Sequence, residues 1–93
     1  MILSFGDRET ELLFNRERVR KLPPDLLQRA RIKLLIIHAA VSEGDLNIPP
    51  GNRFEKLKGD RKGWCSIRIN EQWRVIFKWA EGNAYDVTIT DYH

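Results

Sequence analysis

The hydropathy of this chain changes period partway along, and that change constrains its fold more than any other feature. Between Trp64 and Trp79 the odd positions are overwhelmingly apolar: Cys65, Ile67, Ile69, Trp73, Val75, Phe77 and Trp79. That is the two-residue repeat of strands with one buried face. Upstream, Leu27, Ala30, Leu34, Ile37 and Val41 follow a three-four spacing, the repeat of a helix with one buried stripe. Leu26, Leu35 and Ile36 widen that stripe. A helix-period half and a strand-period half within 93 residues fit one domain, residues 1–93, in which helices cover one face of a sheet.

Local signals set the element order. Leu3 and Phe5 around Ser4 suggest a short first strand. Asp7 is an N-cap, with Glu9 and Glu11 in the following turn, and predicts a helix to about Phe14. Pro24 fits the first turn of a second helix. Ser42 to Asn52, with Gly44, Pro49, Pro50 and Gly51, reads as a surface loop. Arg53 to Leu57 is a weaker strand. Trp64–Ile69 and Trp73–Trp79 are strands joined by Asn70-Glu71-Gln72, and Tyr85 to about Asp91 follows through Glu81-Gly82-Asn83. The expected fold is α+β, ordered β-α-α-β-β-β-β, with two N-terminal helices packed on one face of a twisted antiparallel sheet.

Parity then sorts the strand residues. Carried into the last strand, the odd set adds Tyr85, Val87 and Ile89 to the core face. The even set, Trp64, Ser66, Arg68, Arg74, Ile76, Lys78, Thr88, Thr90 and Tyr92, makes an open face of cations, hydroxyls and aromatic rings. Cations explain a solvated face, but Trp64 and Tyr92 call for something to stack on. Phosphates and unstacked bases meet both needs.

Composition narrows the function classes. An apolar fraction of 42% beside 31% charged residues belongs to a folded globular chain rather than a disordered one. No apolar run approaches the roughly 20 residues of a membrane span, and the first residues lack a signal-peptide pattern. The lone cysteine, Cys65, cannot form an internal disulfide, and a cytoplasmic setting is expected. The net charge of +3 is modest but unevenly spread. Arg53, Lys56, Lys58, Arg61, Lys62 and Arg68 cluster against only Glu55 and Asp60, and Arg16, Arg18, Arg20 and Lys21 against only Glu17. Such clusters suit a phosphate backbone.

Few residues offer chemistry. Two histidines and one cysteine without a ligand spacing argue against a metal, and no glycine-rich phosphate loop follows a strand, so no cofactor is expected. Cys65, on the inferred core face, reads as packing, and His38 as a helix-surface or core-edge histidine. His93 ends the chain directly after Asp91 and Tyr92. Those three supply a proton carrier, a stacking ring and a carboxylate beside a cationic face. A metal-free ribonuclease needs those parts, because RNA brings its own 2′-hydroxyl nucleophile.

Leu57-Lys58-Gly59-Asp60-Arg61-Lys62-Gly63-Trp64, then Ser66-Ile67-Arg68-Ile69-Asn70 with Trp73-Arg74, and the terminal Asp91-Tyr92-His93 resemble HigB toxins of the RelE/ParE superfamily. Ser4-Phe5 leading to Leu13-Phe14 extends the resemblance over essentially the whole chain. It implies a RelE-like fold and a type II toxin that cleaves messenger RNA in the ribosomal A site. It also implies a helix-turn-helix HigA antitoxin, through which alone the toxin would meet operator DNA, and no membrane partner. By position, Lys58 and Arg74 match the cations that hold the scissile phosphate, and Asp91, Tyr92 and His93 the catalytic tail. Arg53, Lys56, Arg61, Lys62, Trp64 and Arg68 are the accompanying RNA-binding candidates. Where some HigB members carry a histidine just before the Leu-Lys-Gly segment, the matching position here is Glu55. Two other functions suit the same fold: a non-enzymatic inhibitor, as ParE-like toxins inhibit gyrase, and a plain RNA-binding module. Neither requires the Arg74, Tyr92 and His93 set.

Overall fold

A computed structural model describes residues 1–20, 22–48 and 50–91. Its sheet has four antiparallel strands in sequence order: β1 (Glu55–Lys56), β2 (Trp64–Arg68), β3 (Trp73–Ala80) and β4 (Asn83–Asp91). Helices α1 (Arg8–Phe14) and α2 (Leu27–Ala39) cover one face. Cys65, Ile67, Val75, Phe77, Val87 and Ile89 from the sheet meet Leu13, Ala30, Leu34 and Ile37 from the helices in one buried cluster. The odd-parity face of β2 and β3 is therefore the core face. Trp73 and Trp79, at the two ends of β3, are only partly buried.

The helix starts follow their signals. Asp7 caps α1, its carboxylate accepting from the Thr10 amide at 3.0 Å. Pro24 opens a 3-10 turn, Pro24–Leu26, that runs straight into α2. Other expectations need correction. α2 stops at Ala39, so Val41 is 78% exposed rather than part of the stripe, and Leu35 is also on the solvent side. The expected loop after Ser42 contains a short helix, α3 (Glu43–Asn47), held by a reciprocal capping box between Ser42 and Asp45. It seats Leu46 in the core.

The first strand is replaced by two isolated parallel bridges, Ile2 to Ala84 and Phe5 to Val87, which lay the N-terminal segment along β4. Among the described residues the order is thus three α-helices followed by four strands. Gly6 is required there, since a Cβ would lie 2.0 Å from the Thr88 hydroxyl and 2.9 Å from the Asp86 carbonyl.

Parity fails at one point of β4. Ile76 pairs with Thr88, but Lys78 pairs with Tyr85, so β4 carries one extra residue opposite Phe77. Asp86 takes up the bulge in the left-handed region, at φ 54°. Ser4 fixes it: the Ser4 hydroxyl accepts from the Asp86 amide at 2.9 Å. Beyond the bulge the strand faces exchange, so Ala84 is buried and Tyr85, expected in the core, stands on the open face beside Lys78.

Core and surface truncations separate these assignments. Phe77→Ala should cost about 3–5 kcal/mol through lost burial and a cavity. Leu35→Ala, which the periodicity alone places in the core, should cost no more than about 1 kcal/mol. Urea unfolding of the two variants checks both values.

Candidate functional site

The open face is organised in cross-strand rows. Trp64, Lys78 and Tyr85 form one row, Glu55, Ser66, Ile76 and Thr88 a second, and Arg68, Arg74 and Thr90 a third. In the first row the Lys78 ammonium lies 5.0 Å from the Trp64 ring centroid and 3.5 Å from the Asp86 carboxylate. In the third, Arg68 and Arg74 are direct cross-strand partners. Like charges so placed destabilise a sheet, and an anion over that row relieves the repulsion.

Arg74 is not on an open surface, as parity alone suggests. It is 7% exposed, and Ser66 beside it is fully buried. The Arg74 Nε donates to the Ser66 Oγ at 3.0 Å, and an Nη donates to the Arg53 carbonyl at 2.7 Å. Another Nη lies 3.8 Å from the Glu55 carboxylate, whose side chain is half exposed. Arg53 presents its carbonyl from a left-handed backbone, φ 45°, a conformation that non-glycine residues hold only when their surroundings impose it. The Arg53–Glu55 segment is thus folded over the guanidinium, and alternation along a strand does not report such a cover.

Arg53, Glu55, Arg68, Asn70, Glu71 and Arg74 line a cleft of about 420 Å³. A second cleft of about 830 Å³ shares Arg53, Arg68, Asn70 and Glu71 and adds Arg29, Ile32 and Lys33 from α2. The β2–β3 turn forms the shared wall. The Asn70 side-chain oxygen accepts from the amides of Gln72 at 2.9 Å and Trp73 at 2.7 Å.

The other candidates are dispersed. Lys58 is exposed ahead of the 3-10 turn Gly59–Arg61 and lines neither cleft. Arg61 and Lys62 are exposed on and after that turn. Lys56 is held 3.0 Å from Glu43, and this bonded carboxylate raises its pKa. Lys62, Lys56, Glu43 and Trp64 border a separate hollow of about 300 Å³ beside Cys65 and Trp79. Asp91 pairs with Trp73, which puts it on the helix side of the sheet rather than with Arg74, and its carboxylate accepts from the Gln72 amide group at 3.0 Å. Tyr92 and His93 lie outside the described residues.

Two residues have structural explanations. Cys65 is buried, and its thiol pKa is pushed up to about 11, first by that burial and then by the Glu43 charge. His38 accepts from the Ile2 amide at 3.2 Å and packs on the Phe14 ring. No group of three or more histidine, cysteine, aspartate or glutamate residues among the described ones could hold a metal ion. No helix among them is long and apolar enough to cross a membrane.

Sequence reasoning missed Arg29 and Lys33. Their i, i+4 spacing marks a shared helix side, but nothing in it says that the side borders the sheet's cationic end. It also missed Ser66 as the residue that positions Arg74.

The fold is RelE-like. It superposes on the crystal structure of a mutant of YafQ from E. coli with a TM-score of 0.63, over 98% of this chain and 91% of that one, at 14% identity. The chain belongs to the family of RelE-like toxins of type II toxin–antitoxin systems, HigB, whose model matches residues 3–93. It is 47% identical to Toxin HigB-1 of Vibrio cholerae serotype O1 over 94 aligned positions, covering all of this chain and 98% of that protein. It is 34% identical to Endoribonuclease HigB of Proteus vulgaris over 93, covering both completely.

The Arg74 clasp yields a stability test. Ser66→Ala removes the acceptor of a buried guanidinium donor and should cost about 1–3 kcal/mol, far more than a surface serine would. Denaturant unfolding of Ser66→Ala beside Ser42→Gly, an exposed cap whose loss costs roughly a few tenths of a kcal/mol, measures the difference.

Proposed function

We propose that this protein is a metal-independent endoribonuclease that cleaves messenger RNA in the ribosomal A site and so arrests translation. The observation that carries the reading is one cleft in which a pinned guanidinium, a carboxylate and two further arginines converge: Arg74, Glu55, Arg53 and Arg68. Membership of the HigB family and the endoribonuclease activity for which the Proteus vulgaris relative is named support it. Arg74 offers charge-assisted donors to the scissile phosphate, and its fork suits the charge that builds on that phosphate as the 2′-oxygen attacks. Its clasp by Ser66 and Arg53 sets the orientation beforehand, so little reorganisation accompanies the reaction.

Two proton carriers are needed, one to take the 2′-hydroxyl proton and one to protonate the departing 5′-oxygen. Glu55 takes the first role. It lines the cleft, and its ion pair with Arg74 breaks as phosphate displaces the carboxylate from the guanidinium. His93 is the donor, by its place in the terminal Asp91-Tyr92-His93 and by the suitability of imidazole near neutral pH. Tyr92 stacks on a base and Asp91 orients the tail. Lys58, Lys56, Arg61, Lys62 and Trp64 bind the RNA away from the scissile phosphate. The protein works in the cytoplasm, and a HigA-type helix-turn-helix antitoxin neutralises it and carries it to operator DNA.

The end chemistry of the products tests the mechanism. RNA cut on ribosomes by the purified protein should carry 2′,3′-cyclic phosphate ends. Free 3′-hydroxyl with 5′-phosphate ends would rule out 2′-hydroxyl attack. Glu55→Gln and His93→Gln should each slow single-turnover cleavage by about a hundredfold or more at neutral pH, with both variants still folded and Glu55→Gln the less stable because it loses the carboxylate 3.8 Å from Arg74. Parental rates in either variant would remove that residue from its role.

A further inference from the structure

The α2 side of the larger cleft has no part in the chemistry above, and the lining as a whole calls for a ligand. Arg29 and Lys33 come from successive turns of α2, Arg53 from the segment before β1, and Arg68 from the end of β2. Against these four cations the lining offers one carboxylate, Glu71. Among the described residues none of the four pairs with a carboxylate. Lys33 is partly buried and held in place: its ammonium donates to the Asn52 side-chain oxygen at 2.6 Å, and buried Asn52 is itself anchored to the Leu46 carbonyl at 3.0 Å. Burial and the Arg29 charge lower the Lys33 pKa. The fold therefore holds like charges together, one of them partly desolvated, and an anion between them would lower the energy of all.

We infer that the cleft between α2 and the β2–β3 turn binds the phosphodiester backbone of RNA through Arg29 and Lys33, as a second subsite continuous with the Arg74 cleft. The inference rests on the proposed RNA-cleaving role. Continuity favours RNA over an acidic protein segment. Arg53 and Arg68 wall both clefts, so a chain with one phosphate at Arg74 passes over them onto α2 without leaving a cationic surface. Ile32, 48% exposed in the same lining, provides an apolar patch for a ribose or base face. Two RNA sources share this chemistry: the strand being cleaved and the ribosomal RNA around it.

The test measures binding of the whole protein to 2′-O-methyl oligonucleotides of three and twelve residues, which cannot be cleaved, and to ribosomes lacking mRNA. The Arg29→Gln/Lys33→Gln variant should bind on the order of tenfold more weakly to the longer RNA or to the ribosomes. Its salt dependence should be shallower by about 0.7 for each phosphate of a single strand that the variant no longer neutralises. Binding of the trinucleotide should not change. Loss confined to the twelve-residue RNA identifies the cleaved strand as occupant, and loss confined to ribosomes identifies ribosomal RNA. Arg29→Lys/Lys33→Arg should bind as the parent does. Should removal of the Asn52 bond lower the melting temperature of the double variant, Arg29→Gln alone carries the test. Unchanged affinity and salt slope for both long RNA and ribosomes would overturn the subsite and leave the proposed activity standing. A parent protein that binds neither RNA nor ribosomes would overturn the activity and the subsite together.

Discussion

A guanidinium that is almost fully buried is costly unless its donors are met, and the way Arg74 meets that cost ties three strands together. Ser66 on β2 supplies a hydroxyl, Arg53 ahead of β1 a carbonyl, and Glu55 on β1 a carboxylate at 3.8 Å. β1 has only two residues and two register pairs, too little ladder to set the path of the preceding chain. The bond from Arg74 to the Arg53 carbonyl supplies that path, and the left-handed Arg53 is its consequence. Once the segment is so placed, the Arg53 and Glu55 side chains border the cleft over Arg74. One interaction therefore shapes both the edge of the sheet and the site.

The bulge at Asp86 does comparable work at the other end of the open face. It turns Tyr85 outward into the row of Trp64 and Lys78, and its carboxylate lies 3.5 Å from Lys78. The face thus grades from arginine-rich at the β2–β3 turn to aromatic at the far end, with a polar row between. That grading suits a single strand of RNA, whose phosphates need cations and whose bases need rings.

Much of this is legible in the residues taken in order. Alternation through β2 and β3 places Ile67, Val75 and Phe77 in the core and puts Arg68 and Arg74 on one face, because a strand with one buried side has a single workable parity. Asp7 and Pro24 mark helix starts through local hydrogen bonding and a fixed φ. What stays hidden depends on tertiary contacts. Asp tolerates the left-handed region, but nothing along Tyr85–Asp91 says that Asp86 adopts it, so alternation puts Tyr85 on the wrong face. α3 is too short for a period, though Ser42 and Asp45 carry its capping signal. Asp91 shares a tripeptide with Tyr92 and His93, and strand alternation nonetheless turns it away from Arg74. The burial of Arg74 and the convergence of Arg29 with Arg68 arise between distant segments, where spacing carries no information.

At the centre of the proposed mechanism stands a guanidinium whose fork, and not merely its charge, is held ready for phosphate. Single-turnover cleavage of ribosome-bound mRNA by Arg74→Lys tests that most directly, with unfolding measured in parallel. Lysine keeps the charge but cannot bond Ser66 and Arg53 while presenting a planar pair of donors. Cleavage slowed by about a hundredfold or more, in a variant that still folds, is the predicted result. A folded Arg74→Lys protein that cleaves at the parental rate would contradict the mechanism.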